Sequence, residues 1–437
     1  MWCRQRQLSI TIALLVAACG DNLETGPDAP ANADAPGDTM VIPPMITVTF
    51  TNRPSTPTAY KFLVAFQDGT GPWTLAPAPT GDTYSIPITA LNYGIAWTCL
   101  SPGLREVTAF YFSKAERSSL TIPVPDRCTD RAPMAVSLSG TVSNRPVGGA
   151  MAAAFGPRAS DVDTTSGLYS IATPPGTRDL AVGHAVVGGG NAVMDSATVQ
   201  RGVVVNAGST VDVDFATAMA TRTAVVTVVT SGTPRVNVRT QLQTPGGTSL
   251  RLVDANAAPY LTSGLAASQA VSGDVYNLQI LVAQGGQTAI TQNWLSEVAP
   301  TTYVAPTPFG TATTTVMSST PYPIITTTWA PYANTLGYSW SGTQALTAGQ
   351  CGGTACTVMW TSNVSPAAAG SAPENHMPTL GGLTGWDADL QFRSGVSILG
   401  YVNAMTSTAG SMDFPLAPPA TAGTNRVFVA ADWIATP

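Results

Sequence analysis

The chain reads as an all-β protein, built as tandem β-sandwich domains behind a leader and a linker, on three observations. Short runs of alternating apolar and polar residues recur from residue 45 onward, the period-2 pattern of strands with one buried face. Clusters of Gly, Pro and Asp separate these runs at turn spacing, as in Asp68-Gly69-Thr70-Gly71-Pro72 and Pro102-Gly103; glycine tolerates the left-handed backbone of a turn and proline fixes φ. Charged residues make up only 10% of the chain, against about 25% in ordinary soluble domains, and Thr, Ser, Ala and Gly carry the load instead.

Residues 1–18 form the leader. Arg4 and Arg6 make a positive start, 8–16 is an apolar run broken only by Ser9 and Thr11, and Val16-Ala17-Ala18-Cys19 closes it with small residues. The run is shorter than the roughly 20 residues that span a bilayer. The ending resembles the lipobox of bacterial lipoproteins. That resemblance implies a diacylglyceryl group on Cys19, cleavage just before it and acylation of the freed amine. Stable anchoring takes more than one acyl chain, which a triacylated Cys19 supplies. The partner so implied is a membrane, the location is extracytoplasmic, and Gly20 after the lipidated position leans towards the outer membrane.

Residues 19–44 follow as a spacer. Asp21, Glu24, Asp28, Asp34 and Asp38 stand there without a basic residue, and Pro27, Pro30, Pro36, Pro43 and Pro44 interrupt it; self-repulsion and low apolar content predict disorder. Its Asp/Ala/Pro composition resembles that of myxobacterial lipoproteins. Removing 1–18 leaves 17 basic residues (19 less Arg4 and Arg6) against 25 acidic ones, a balance of −8. Phosphate binding needs clustered Lys and Arg, so nucleic acid is excluded as a partner.

Of six cysteines, Cys3 leaves with the leader and Cys19 is taken by lipid. The remaining four read as disulfides in an exported protein, and spacing pairs Cys99 with Cys128 and Cys351 with Cys356. Gly352 and Gly353 allow the reversal the short loop needs.

The first domain spans 45–133, with strands expected at 45–50, 60–66, 82–88, 93–99, 107–112 and 119–124. In the second, 134–218, a strand ends in Gly140-Thr141-Val142, a turn leads into Gly167-Leu168-Tyr169-Ser170-Ile171, and Pro174-Pro175-Gly176-Thr177 precedes Leu180-Ala181-Val182. This order resembles carboxypeptidase-regulatory-like domains with a transthyretin-like sandwich, an accessory module that implies a fold and no catalytic residue. The third domain, 219–310, continues with strand-like runs and Gly-Gly turns at 246–247 and 285–286. The last, 311–437, is tryptophan-rich, and its strand ending Thr-Trp-Ala-Pro, followed by a turn and Gly337-Tyr338-Ser339-Trp340, resembles the opening of fibronectin type III domains, with Trp329 as the core residue and Tyr338 beginning the next strand. Domains two to four recur in size without a clean period and read as stacked modules.

Chemistry is sparse. Gly337-Tyr338-Ser339-Trp340-Ser341 begins like a nucleophile elbow, but Ser341 replaces the second glycine and no helix follows. His184 lies in an alternating strand and reads as structural. Glu374 and His376 share a loop and are the one pair suited to moving a proton or holding a metal; solvation is the commoner role there. Asp161 with Asp163, and Asp212 with Asp214, offer two carboxylates each, too few for a calcium loop. Five tryptophans, Trp329, Trp340, Trp360, Trp386 and Trp433, fall in the last domain. Trp340 and Trp386 are the candidates for sugar stacking, weighed against burial in the core.

The reading is a non-catalytic, lipid-anchored extracytoplasmic envelope protein, a structural or binding scaffold with no cofactor and no metal. Its partners are the membrane and, beyond it, polysaccharide or envelope proteins. The alternative is a carbohydrate-binding or adhesive surface protein using the last domain, and behind it a hydrolase using Glu374 and His376.

Overall fold

The computed structural model describes residues 45–318, 322–408 and 421–437. The leader, the Cys19 lipidation motif and the spacer lie outside them. Among the described residues the chain is almost wholly strand, with one short helix, α1 (Pro366–Ala369), and three 3-10 turns. No helix there is long and apolar enough to cross a membrane.

Four sandwiches follow one another. The first holds β1 (Met45–Thr51), β2 (Val64–Asp68), β3 (Thr74–Leu75), β4 (Thr83–Pro87), β5 (Asn92–Ser101), β6 (Leu104–Ser113) and β7 (Ser119–Pro123). The second holds β8 (Val136–Ser143), β9 (Ala150–Phe155), β10 (Arg158–Asp161), β11 (Leu168–Thr173), β12 (Gly176–Gly188), β13 (Asn191–Val205) and β14 (Val213–Asp214). After the short β15 (Met219–Ala220), the third holds β16 (Arg222–Val229), β17 (Arg235–Gln243), β18 (Ser249–Ala255), β19 (Leu261–Gly264), β20 (Val275–Gln284), β21 (Gln287–Leu295) and β22 (Thr301–Val304). The fourth holds β23 (Ala312–Ser318), β24 (Ile324–Trp329), β25 (Gly337–Leu346), β26 (Cys356–Val364), β27 (Glu374–His376), β28 (Ile398–Ser407) and β29 (Asn425–Ala435).

In each sandwich a three-stranded sheet covers one face of a larger one. The covers are β4-β1-β7, β11-β8-β14, β19-β16-β22 and β23-β24-β27. Their alternation is the sequence pattern made visible: in β1 the side chains of Ile46, Val48 and Phe50 are buried while Met45, Thr47 and Thr51 are exposed, because a strand's side chains alternate between core and solvent. Gly167 takes φ +81° at the turn into β11, a conformation that only glycine adopts without strain, and it delivers Tyr169 and Ile171 into the second core.

The larger sheets are not separate. Seventeen strands share one barrel-like sheet, whose ladders run β10-β9-β12-β13, then β18-β17-β20-β21, then β29-β28-β25-β26, then β6-β5-β2-β3, with β15 also on β13. The stacked modules are thus fused edge to edge, in the order second, third, fourth, first. The junction that brings the last sandwich beside the first is an eight-pair parallel ladder from Thr357↔Leu104 to Val364↔Tyr111.

The covers of the third and fourth sandwiches lie on one side of this sheet, where Ile280 and Val429 point. Those of the first and second lie on the other, since Phe110 belongs to the first core while its neighbours Ala109 and Val107 join the fourth. Cys128 is bonded to Cys99 of β5 in the first sandwich, and seven residues, 129–135, lead from it to β8 of the second cover; seven residues reach about 25 Å, whereas about twelve strand spacings laid flat, about 58 Å, would separate the two sandwiches. The sheet therefore curls, concave on the side of those two covers. Double coverage also explains why β5 is buried almost throughout: Tyr93, Ile95 and Trp97 face the first core, and Ala96 faces the fourth.

Candidate functional site

The cysteines pair as their spacing indicates: Cys99 with Cys128 and Cys351 with Cys356. The first ties β5 to the 3-10 turn after β7. The second closes the loop between β25 and β26.

The tryptophans of the fourth sandwich are largely its core. Trp340 has no exposed surface; its ring stacks on Trp433 at 5.2 Å, and its Nε1 donates to Thr327 Oγ1 at 2.8 Å. A buried ring offers no face to a sugar, so the stacking role for Trp340 is corrected to a core role. Alternation had already placed it: Trp340 shares its side of β25 with Tyr338 and not with Ser339 or Ser341. Trp386 is half-buried. One of its faces is stacked on Tyr322 at 5.9 Å and its edge meets Trp360. Trp360 Nε1 donates to Leu390 O at 2.7 Å.

Glu374 and His376 lie on β27, paired with Thr328 and Thr326 of β24. Cross-strand neighbours share a face, so a chain of polar groups forms. His376 Nε2 is 2.8 Å from Glu374 Oε1 and its Nδ1 is 3.0 Å from Thr326 Oγ1. A hydroxyl, an imidazole and a carboxylate thus connect in the order that acyl transfer uses. The remaining requirements are unmet. Thr326 sits in mid-strand, and β24 is laddered on both sides, to β23 and β27, so its backbone amides are engaged and do not form an oxyanion site. Both His376 and Glu374 are about half exposed, and the His376 carbonyl accepts from Tyr111 Oη. The group acts as a tie between the fourth sandwich and the first.

His184 Nδ1 is 2.7 Å from Asp195 Oδ1 and its Nε2 is 3.0 Å from Gly148 O, so both nitrogens are consumed by the fold. The four aspartates separate in role. Asp212 accepts from Thr141 N, and Asp214 from Asn144 and Ala216 N. Asp163 accepts from Ser166 and Thr165 within its turn, which holds its carboxyl below the usual range. Asp161 lies on the exposed edge strand β10. Among the described residues no group of three or more His, Cys, Asp or Glu side chains converges.

What sequence reasoning missed is on the concave face, opposite the fourth cover. Asn363, Ser339 and Asn403 stand side by side across β26, β25 and β28. Thr361, Ser341, Tyr401 and Asp432 form the next row, ending on β29. The signal was present as the polar half of each alternating strand, but the order in which β26, β25, β28 and β29 pair is not written in any one of them.

No family model and no curated protein matches the chain. Among solved structures it is similar to a tetra-tandem repeat in the extending region of a large adhesion protein, at 11% identity and a TM-score of 0.13, over 82% of this chain and 94% of that one.

Proposed function

We propose that this chain is a non-catalytic adhesive scaffold of the cell envelope, displayed from a membrane through lipid on Cys19 and the 19–44 spacer. The observation that supports it best is the fate of the reactive side chains. His184, His376, Glu374, Asp163, Asp212 and Asp214 are engaged by the fold, Asp161 lies on the exposed edge strand β10, and among the described residues no nucleophile stands beside both a free base and an oxyanion site. What the fold supplies instead is a large, continuous β-surface in which the first and last sandwiches are locked together. A load applied to the fourth sandwich passes through the β26–β6 ladder to the first, and from there to the spacer and the membrane, without crossing the second and third.

The test is intact mass of protein extracted from its native membranes, with inner and outer membranes separated, followed by adhesion of cells with and without the protein. The expected result is a chain beginning at Cys19 with added acyl mass and two disulfides, and adhesion lost on deletion. Turnover of an ester, peptide or glycoside that disappears in His376→Ala would overturn the reading.

A further inference from the structure

The concave cluster has a chemistry that the scaffold does not consume. Asn363 is 1% exposed, Ser339 7% and Asn403 8%. Both amide atoms of Asn363 and the Oδ1 of Asn403 have no hydrogen-bond partner. Buried amides are almost always paired, so three unpaired atoms of two neighbouring residues call for an occupant.

The next row reaches solvent only towards β29, with Ser341 still buried. Tyr401 is half-buried with its hydroxyl against Ser341, and Asp432 is exposed at the edge. Partial burial pushes the Asp432 carboxyl pKa up, and it is the one cause acting there. Beyond it Leu399 and Ile434 are 50% and 69% exposed, so this end of the face is open to solvent.

An amide presents a donor and an acceptor together, a carboxylate accepts two hydroxyls, and a tyrosine ring offers an apolar face with a polar tip. That set matches vicinal hydroxyls on a ring whose flat side is apolar. Asp432 is the only charge among these seven residues, and it repels phosphate, sulfate and uronate. We propose that this concave patch binds a neutral sugar chain, with Tyr401 against a ring face, Asp432 accepting from hydroxyls at the exposed end, and Asn403 and Asn363 pairing with the group that enters deepest.

This names the ligand class for the adhesive reading above and rests on it. The test uses the full mature chain with dextran, maltohexaose, cellohexaose and chitohexaose as neutral probes and alginate as the polyanion, read by calorimetry. The wild type is expected to bind at least one neutral probe and not alginate. Tyr401→Ala and Asn363→Leu should each weaken that binding at least tenfold. Asn363→Leu, similar in size and relieved of unpaired atoms, should do so without lowering the melting temperature, which a purely structural Asn363 would not allow. Binding unchanged in both variants overturns this site while leaving the adhesive reading intact. Failure of the wild type to bind any neutral probe, or preference for alginate, overturns the sugar assignment. Cell adhesion with and without the protein then judges the adhesive reading separately.

Discussion

Trp360 of the last sandwich stands directly across the parallel β26–β6 ladder from Val107 of the first, and both side chains enter one core. That core also takes Leu63, Ala65, Trp73, Ala96 and Ala109 from the first sandwich, so neither sandwich buries its apolar surface alone. Trp360→Ala removes a 1%-exposed indole and its bond to Leu390 O. The expected cost is about 3–5 kcal/mol. The two sandwiches should lose stability together. Denaturant unfolding followed by hydrogen exchange would show protection falling in β5 and β6 as well as β26; a loss confined to residues 311–437 would contradict the shared core.

The two disulfides should differ in worth. Cys99 and Cys128 are separated by 29 positions and Cys351 and Cys356 by 5, and on the chain-entropy model the longer loop contributes about 3–4 kcal/mol and the shorter about 2. Paired Cys→Ala replacement at 99 and 128 should lower the denaturation midpoint more than the same change at 351 and 356. Equal losses, measured by urea titration, would mean that the unfolded state is not the main target of the first bond.

Fold class was legible because local alternation survives in the structure: Met45–Thr51, Thr83–Pro87 and Leu168–Thr173 each bury every second residue. The fusion of modules was not legible. Val107, Ala109 and Ala96 look like ordinary strand residues, and only the register of β6 against β26, two segments far apart in the chain, gives them a core to enter. The same gap separated the seven polar residues of the concave face, which are unremarkable on four strands and become a cluster only when paired. The sequence pointed to Trp340 because tryptophan is conspicuous; its burial follows from alternation with Ser339 and Ser341.

Arg201 joins the second sandwich to the third. Its guanidinium donates to Asp179 at 3.0 Å and to both Asp274 oxygens at 2.9 and 2.7 Å, while the Asp274 side chain is 1% exposed and that of Asp179 6%. Burial acts to raise the Asp179 carboxyl, but the Gly202 amide, Thr244 and Arg201 together bring it below the ordinary carboxylate range. Arg201→Met would leave two carboxylates in a dry site without their cation. The expected loss is about 3 kcal/mol, larger than that from Arg131→Met, whose pairing with Asp82 is partly exposed on both sides and contributes about 0–1 kcal/mol. Thermal melts of the two variants decide it.

The carboxylates predict opposite responses to acid. Asp130, held by the Ser55 and Thr56 hydroxyls and the Ser55 amide, has its pKa lowered. Asp163 and Asp179 are lowered as well. Such groups stabilise the fold above the unfolded carboxyl pKa, and that contribution disappears as pH falls from about 4 through their folded values. Asp432 is raised by burial, so its sign is reversed: it costs nothing below about pH 4, where both states are protonated, and destabilises as pH rises through its folded value. Asp432→Asn should therefore raise the melting temperature at pH 7 and leave it unchanged at pH 3. Asp130→Asn should lower it at pH 7 and leave it little changed near pH 1. A gain from Asp432→Asn that is equal at both pH values would show that the carboxylate is not the source of the strain, and that the amide simply finds a new partner on the concave face.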